Sequence, residues 1–144
     1  MQIRVYIIFI FIASLVNLCA KTTPCSIVID GIPTQGACKG ILKHGKFVGY
    51  YPNGMIAWEV HYKDDKLHGK FRHFYTNGSP HFVGSYKNGV LNGDFMQYSE
   101  DGIILHTHFK KGVLHNWLYT IQNGVKIQAL QYYYGKLVAQ KYLN

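Results

Sequence analysis

A single unit is written four times in this chain, and that repetition limits the possible folds more than any other feature. The turns line up as His44-Gly45-Lys46-Phe47 followed by Tyr51-Pro52-Asn53-Gly54, then His68-Gly69-Lys70-Phe71 followed by Tyr75-Thr76-Asn77-Gly78. A third copy reads Asn92-Gly93-Asp94-Phe95 and Ser99-Glu100-Asp101-Gly102, and a degenerate fourth reads His115-Asn116-Trp117 and Gln122-Asn123-Gly124. Gly54, Gly78, Gly102 and Gly124 are 24, 24 and 22 residues apart. Between them a second turn recurs at Tyr62-Lys63-Asp64-Asp65, Tyr86-Lys87-Asn88-Gly89, Phe109-Lys110-Lys111-Gly112 and Tyr132-Tyr133-Tyr134-Gly135. A fixed period of this size marks a repeat architecture, in which each unit buries its apolar surface against its neighbour.

Each period holds two turn signals separated by aromatic and β-branched runs. Asn-Gly and Asp-Gly supply the positive φ angles of tight hairpins, so the unit reads strand, turn, strand, turn. Glycine recurs too often for helices of useful length. The expectation is an all-β fold: a single-layer antiparallel meander of repeated hairpins, about four units of 22–24 residues over residues 43–144. Composition agrees, with 12 Tyr and 8 Phe, residues that suit a pleated, half-buried surface. So much apolar area also excludes a disordered chain. Period-2 alternation places Trp58, Val60 and Tyr62 on one face and Glu59 and His61 on the other. The equivalent columns are Phe82 and Tyr86, Leu105 and Phe109, and Leu130 and Tyr132. One face should therefore be an aromatic ladder and the opposite face mostly polar. One residue is missing between Gly102 and Gly112 relative to the sibling units, which leaves the register of unit three open.

The run Gly-Lys-Phe, Tyr-Pro-Asn-Gly, then Tyr-Lys-Asn/Asp-Gly, over about Lys43 to Val138, resembles the MORN-repeat family in its bacterial variant form. Unit four departs from it, with Asn116 in place of glycine, as suits a terminal cap. The resemblance implies a scaffold or membrane-associated binding module. The variant repeat also occurs in YwqK-type antitoxin-like proteins, which implies an antitoxin or immunity-type role as the alternative. A cytosolic antitoxin role conflicts with the N-terminal segment.

That segment starts with one basic residue, Arg4, and continues from Val5 to Leu18 with Ser14 and Asn17 as its polar members. Fourteen residues fall short of the ~20 a membrane span needs. A short basic start, a short apolar run and a small residue at Ala20 match a secretory signal peptide over residues 1–20. Cleavage after Ala20 would release Lys21; alternatively, Leu15-Val16-Asn17-Leu18-Cys19 resembles a lipoprotein signal in which Cys19 is acylated. The expected location is periplasmic, envelope-associated or extracellular. In such an oxidising compartment Cys25 and Cys38 are expected to pair, tying an N-terminal segment, residues 21–42. A loop of that length contributes about 3 kcal/mol in the chain-entropy description.

Chemistry is sparse. His106 and His108 form a His-x-His pair on one side of a strand, a geometry zinc and copper use. A third ligand from His61, Glu59 or His81 would sit two strand spacings away, about 9.6 Å, so no metal site is expected. His44, His68 and His115 share one repeat position and should pack at the turn. The acidic residues Asp30, Asp64, Asp65, Asp94, Glu100 and Asp101 lie at or beside turns, with Glu59 alone inside a strand. None sits in the concave, dry setting that shifts a catalytic pKa. No phosphate loop, cofactor or enzyme activity is expected.

Charge is more informative. The chain has 15 Lys+Arg against 7 Asp+Glu. Lys63, Lys66, Lys70, Lys87, Lys110, Lys111 and Lys136 fall at or next to the second turns, whereas the first turns carry Asn53, Asn77, Glu100, Asp101 and Asn123 with Lys126. A meander puts the two turn sets on opposite edges, so a lysine rim should face a neutral-to-acidic one. Spaced every ~9.6 Å against a screening length of ~8 Å, the clusters reinforce one another weakly. Nucleic acid is not an expected partner, because a stacking platform interleaves its lysines with exposed rings. The expected function is an exported, non-catalytic binding or scaffold module contacting another protein or an anionic envelope surface. Strand addition at Lys136–Leu143 and uncovered rings such as Tyr50 and Phe74 are the expected contacts.

Overall fold

The computed structural model describes residues 21–143, and the expected signal segment with Cys19 lies outside the described residues. β1 (Thr22–Ile29) and β2 (Ile32–Lys39) form the first hairpin, and the two-residue β3 (Leu42–Lys43) turns back against β2. Unit one continues with β4 (Gly45–Tyr50), β5 (Ile56–Lys63) and β6 (Lys66–Leu67). Unit two has β7 (Gly69–Phe74), β8 (Pro80–Lys87) and β9 (Val90–Leu91). Unit three has β10 (Gly93–Tyr98), β11 (Ile103–Lys110) and β12 (Val113–Leu114). The chain closes with β13 (Asn116–Gln122), β14 (Val125–Tyr133) and β15 (Lys136–Tyr142). The long strands line up in one antiparallel sheet in the order β1-β2-β4-β5-β7-β8-β10-β11-β13-β14-β15. No helix occurs among the described residues.

Residues 21–42 are integrated into this sheet rather than set apart from it. β1 and β2 pair in register from Thr22 against Lys39 to Ile29 against Ile32, and β2 continues into β4. The reason is that Cys25, Ile27 and Ile29 extend the apolar alternation of the repeats and pack on the same core. Cys25 and Cys38 are joined as a disulfide, with Cα atoms 5.8 Å apart.

The core lies on one face, along a row that crosses every strand. Phe47, Phe71 and Phe95 recur in the first strand of successive units, and small residues take the intervening positions. Phe47 has no exposed surface, and its ring lies so close over Gly36 that a Cβ there would sit 2.3 Å from ring carbon. Gly84 plays the same part between Phe71 and Phe95, where a Cβ would meet them at 2.8 and 3.1 Å. A second ring from each unit's returning strand supports the first: Tyr62 on Phe47 at 5.2 Å, Tyr86 on Phe71 at 4.9 Å and Phe109 on Phe95 at 5.5 Å. Such pairs contribute about 0.5–1.5 kcal/mol each beyond area burial. Trp58 faces His73, His73 faces Phe82, Phe82 faces Gln97 and Gln97 faces Leu105, so the column read from the sequence shares one side. Its most buried ring, however, is the first-strand Phe47, because a ring over glycine loses water from both faces.

Register explains the missing residue of unit three. The β4–β5 pair shifts by one beyond Gly49, leaving Ala57 as a bulge, and β7–β8 shifts beyond His73, leaving His81. β13–β14 does the same at Ile127. β10 and β11 pair without interruption from Gly93–Phe109 to Tyr98–Ile104. The deleted residue is the bulge, so β11 runs straight where its siblings bend. Asn116, which replaces the repeat glycine, keeps a positive φ of 79°, a conformation asparagine tolerates better than most residues.

Candidate binding surface

The second turns gather on one edge of the sheet. Lys63 and Lys66 face each other across Asp64-Asp65. Lys87 faces Val90, Lys110 faces Val113, and Lys136 faces Tyr133, with Lys111 in its turn at φ 53°. These side chains are exposed. Lys70 stands one step inside, within β7 opposite Ser85. Lys39 and Lys43, which flank the preceding turn, join the rim; the repeat period would have found them had it been extended one hairpin toward the N-terminus. The opposite edge carries Asp30, Glu100, Asp101 and Lys126.

Backbone bonds stitch the lysine rim from unit to unit. Asp65 N–H donates to Lys43 O, Gly89 N–H to Leu67 O, Gly112 N–H to Leu91 O and Gly135 N–H to Leu114 O, all within 3.0 Å. At the first of these junctions Lys43 also holds Asp65 through its ammonium at 2.8 Å and its amide at 2.9 Å. Those bonds keep the Asp65 carboxyl below the usual carboxylate range. The remaining rim lysines among the described residues have no carboxylate within ion-pair reach.

The first-turn edge is tied by side chains instead. The Tyr51 hydroxyl donates to Phe74 O at 2.7 Å and the Tyr75 hydroxyl to Tyr98 O at 2.8 Å. Because the Tyr51 proton is used on Phe74, its oxygen accepts from His73 Nε2–H at 3.1 Å. His73 Nδ1 then accepts from His81 Nδ1–H at 3.0 Å. This tautomer assignment follows from the bond network. Trp58 stacks on His73 at 4.0 Å, and Tyr75 stacks on His81 at 4.2 Å. Burial is the main reason both imidazoles are harder to protonate than usual, with each offset in part by a carboxylate, Asp30 for His73 and Glu100 for His81.

The other histidines are placed as follows. His106 and His108 both face Asp94, at 4.0 and 3.0 Å. That carboxylate belongs to the adjacent strand β10, not to the more distant strands considered from the sequence. No group of three or more potential ligands able to hold a metal occurs among the described residues. His44 bonds Asp64 at 3.2 Å, while His115 packs on Tyr134 at 4.8 Å.

The face opposite the core changes character along the sheet. In units one and two it is polar as expected: Glu59 pairs with Lys46 and, at 3.6 Å, with Arg72. In the last strands the expectation fails. Trp117 and Tyr119 stack at 6.3 Å, with Lys141 over Trp117 at 5.4 Å and Lys126 over Tyr119 at 3.7 Å. The degenerate repeat hid this inversion, since Trp117 stands where siblings have lysine or aspartate. Lys110 similarly lies over Tyr134 at 5.6 Å.

Two stretches, residues 43–64 and 67–88, match the MORN repeat variant family. They coincide with units one and two, where the tyrosine ties, bulges and ring-on-ring packing are complete. Over those residues the chain is similar to MORN repeats, which are generally associated with binding or scaffold roles. No curated protein matches the chain.

Proposed function

We propose that this chain is an exported, non-catalytic binding or scaffold module that meets another protein or an anionic envelope surface through its lysine rim. Export rests on the character of residues 1–20: a basic start, a short apolar run and a small residue at position 20. Contact rests on one observation, the alignment of Lys39, Lys63, Lys66, Lys87, Lys110, Lys111 and Lys136 along a single edge. A row of like charges held open by a rigid sheet is stabilised by an anionic partner and by little else. A hydrogen-bonded sheet offers its backbone at little further ordering cost on binding.

The test is co-sedimentation of the processed chain with phosphatidylglycerol vesicles at low and physiological salt. Binding should fall as salt rises, and K63Q/K87Q/K110Q should weaken it at least fivefold. Binding that ignores both salt and these lysines would refute the rim. Mass spectrometry of protein recovered from the host would show the mature N-terminus and any acylation of Cys19.

A further inference from the structure

The two outermost strands of the sheet are finished differently. β1 carries Pro24, which has no N–H to offer; prolines within sheets occupy edge positions where that donor would face solvent. β1 is also stapled to its neighbour by Cys25–Cys38. β15 has no proline, and among the described residues nothing pairs with its outer side.

The direction of its free groups follows from the ladder. Leu143 N–H donates to Ile127 O at 3.0 Å, which makes that pair hydrogen-bonded. Stepping by two along the register, Lys141 opposite Ala129 and Ala139 opposite Gln131 bond inward to β14. Gln140 opposite Leu130 and Tyr142 opposite Gln128 therefore turn their N–H and C=O outward.

Side chains then decide what could be received there. Leu137 pairs with Tyr132, and Tyr142 with Gln128, on the core face, where they are 53% and 76% exposed. Lys136 and Lys141 take the other face. The edge thus alternates apolar on one side and basic on the other. From Gly102 to Leu143 the chain holds Lys110, Lys111, Lys126, Lys136 and Lys141 and no acidic residue. The three that are paired at all lie over aromatic rings, which leaves their charge un-neutralised.

We infer that the outer side of β15 receives an extended segment of a partner protein in which acidic and apolar residues alternate, added to the sheet as a further strand. Acidic side chains of that segment stand over Lys136 and Lys141, and apolar ones cover Leu137 and Tyr142, while Gln140 and Tyr142 supply main-chain bonds. A second copy of this chain is a poor occupant, because its own β15 would bring lysines without carboxylates against lysines without carboxylates. The inference rests on the reading of the chain as a binding module, and shares only Lys136 with its lysine rim.

The test uses the processed full-length chain and fluorescently labelled decapeptides. A peptide alternating valine and glutamate should bind in a salt-sensitive way. One alternating valine and lysine should not bind, and one alternating glycine and glutamate should bind at least tenfold more weakly for want of strand propensity. Q140P removes an outward N–H without touching the bonds to β14, and should cut affinity at least tenfold with thermal unfolding unchanged. K136Q/K141Q should do likewise, whereas K63Q/K87Q, which alters the rim alone, should have little effect. Should Q140P fold poorly, hydrogen exchange on the parent chain decides: slowed exchange at Gln140 and Tyr142 on adding the valine–glutamate peptide supports the strand, and unchanged exchange overturns it. Equal binding of the glycine–glutamate peptide overturns it in favour of charge alone. A concentration-dependent dimer abolished by Q140P overturns it in favour of a second copy. Loss of peptide binding with vesicle binding intact would remove this inference and leave the rim standing.

Discussion

Residues 43–88 and residues 102–143 share one strand–turn period but differ in how their surfaces are neutralised and packed. In the first region Phe47 lies over Gly36 and Phe71 over Gly84, tyrosines at positions 51 and 75 tie each unit to the next, and Glu59 and Asp65 neutralise neighbouring lysines. Just ahead of the second region Ser99 stands where those tyrosines would be and bonds within its own turn, to Ile103 O at 2.9 Å. Thr107 and Leu118 replace glycine and phenylalanine in the central row, and lysines rest on rings rather than on carboxylates. A repeat period specifies where strands and turns fall; how firmly successive units adhere depends on a few side chains that decay faster than the period does. The region that has lost those ties also ends in β15, with whose outer side nothing pairs among the described residues.

The sharpest way to break this contrast is to truncate one core side chain in each region. Phe47→Ala should lower stability by about 3–5 kcal/mol, measured by urea unfolding, because Phe47 is fully covered. Leu118→Ala, at a half-buried position, should cost clearly less; equal losses would show that the core is uniform along the sheet. Next in size is Tyr75→Phe, which removes the bond to Tyr98 O and should cost about 0.5–1.5 kcal/mol. Hydrogen exchange in β10 should rise with it, and an unchanged rate would show that the tie is idle.

Acid sharpens the comparison in another way. His73 and His81 resist protonation in the folded chain, so the unfolded chain takes up more protons below its own imidazole pKa, about 6.5. Stability from this pair is therefore complete above about pH 6.5 and falls as pH drops through that value toward the folded pKa values. The first proton can enter His81 at Nε2 without disturbing the bond, whereas protonating His73 at Nδ1 sets two N–H groups face to face. The midpoint of thermal unfolding should drop between pH 7.5 and 5.5, and His81→Gln should flatten that dependence. A slope that survives the substitution would place its origin elsewhere. The smallest effect is expected at Asn116→Gly. Restoring the repeat glycine at φ 79° should relieve strain and raise stability by a few tenths of a kcal/mol, the order set by backbone effects at such sites.

Much of this was legible in the residues themselves. Turn chemistry recurs wherever the backbone needs positive φ, so the hairpins, their antiparallel order and the two opposed rims followed from spacing. The aromatic ladder followed from alternation. Alternation mispredicted the outer face of the last strands, because β13 carries Trp117 and Tyr119 on the side that units one and two reserve for charge. It also said nothing of which ring would be most buried, since that depends on Gly36 and Gly84 lying across from Phe47 and Phe71 on other strands. The one-residue deficit in unit three was countable, but its meaning as a lost bulge required the pairing.

By itself the chain determined what is local: strand length, turn type and which side of each strand is apolar, all governed by interactions between residues a few positions apart. The tertiary structure alone decided what depends on residues of different strands meeting across the sheet. It settled the tyrosine ties between units, the His73–His81 bond and Asp94 between two histidines. It also settled the outward turn of the Gln140 and Tyr142 amides, because those contacts depend on register, which spacing constrains but pairing sets.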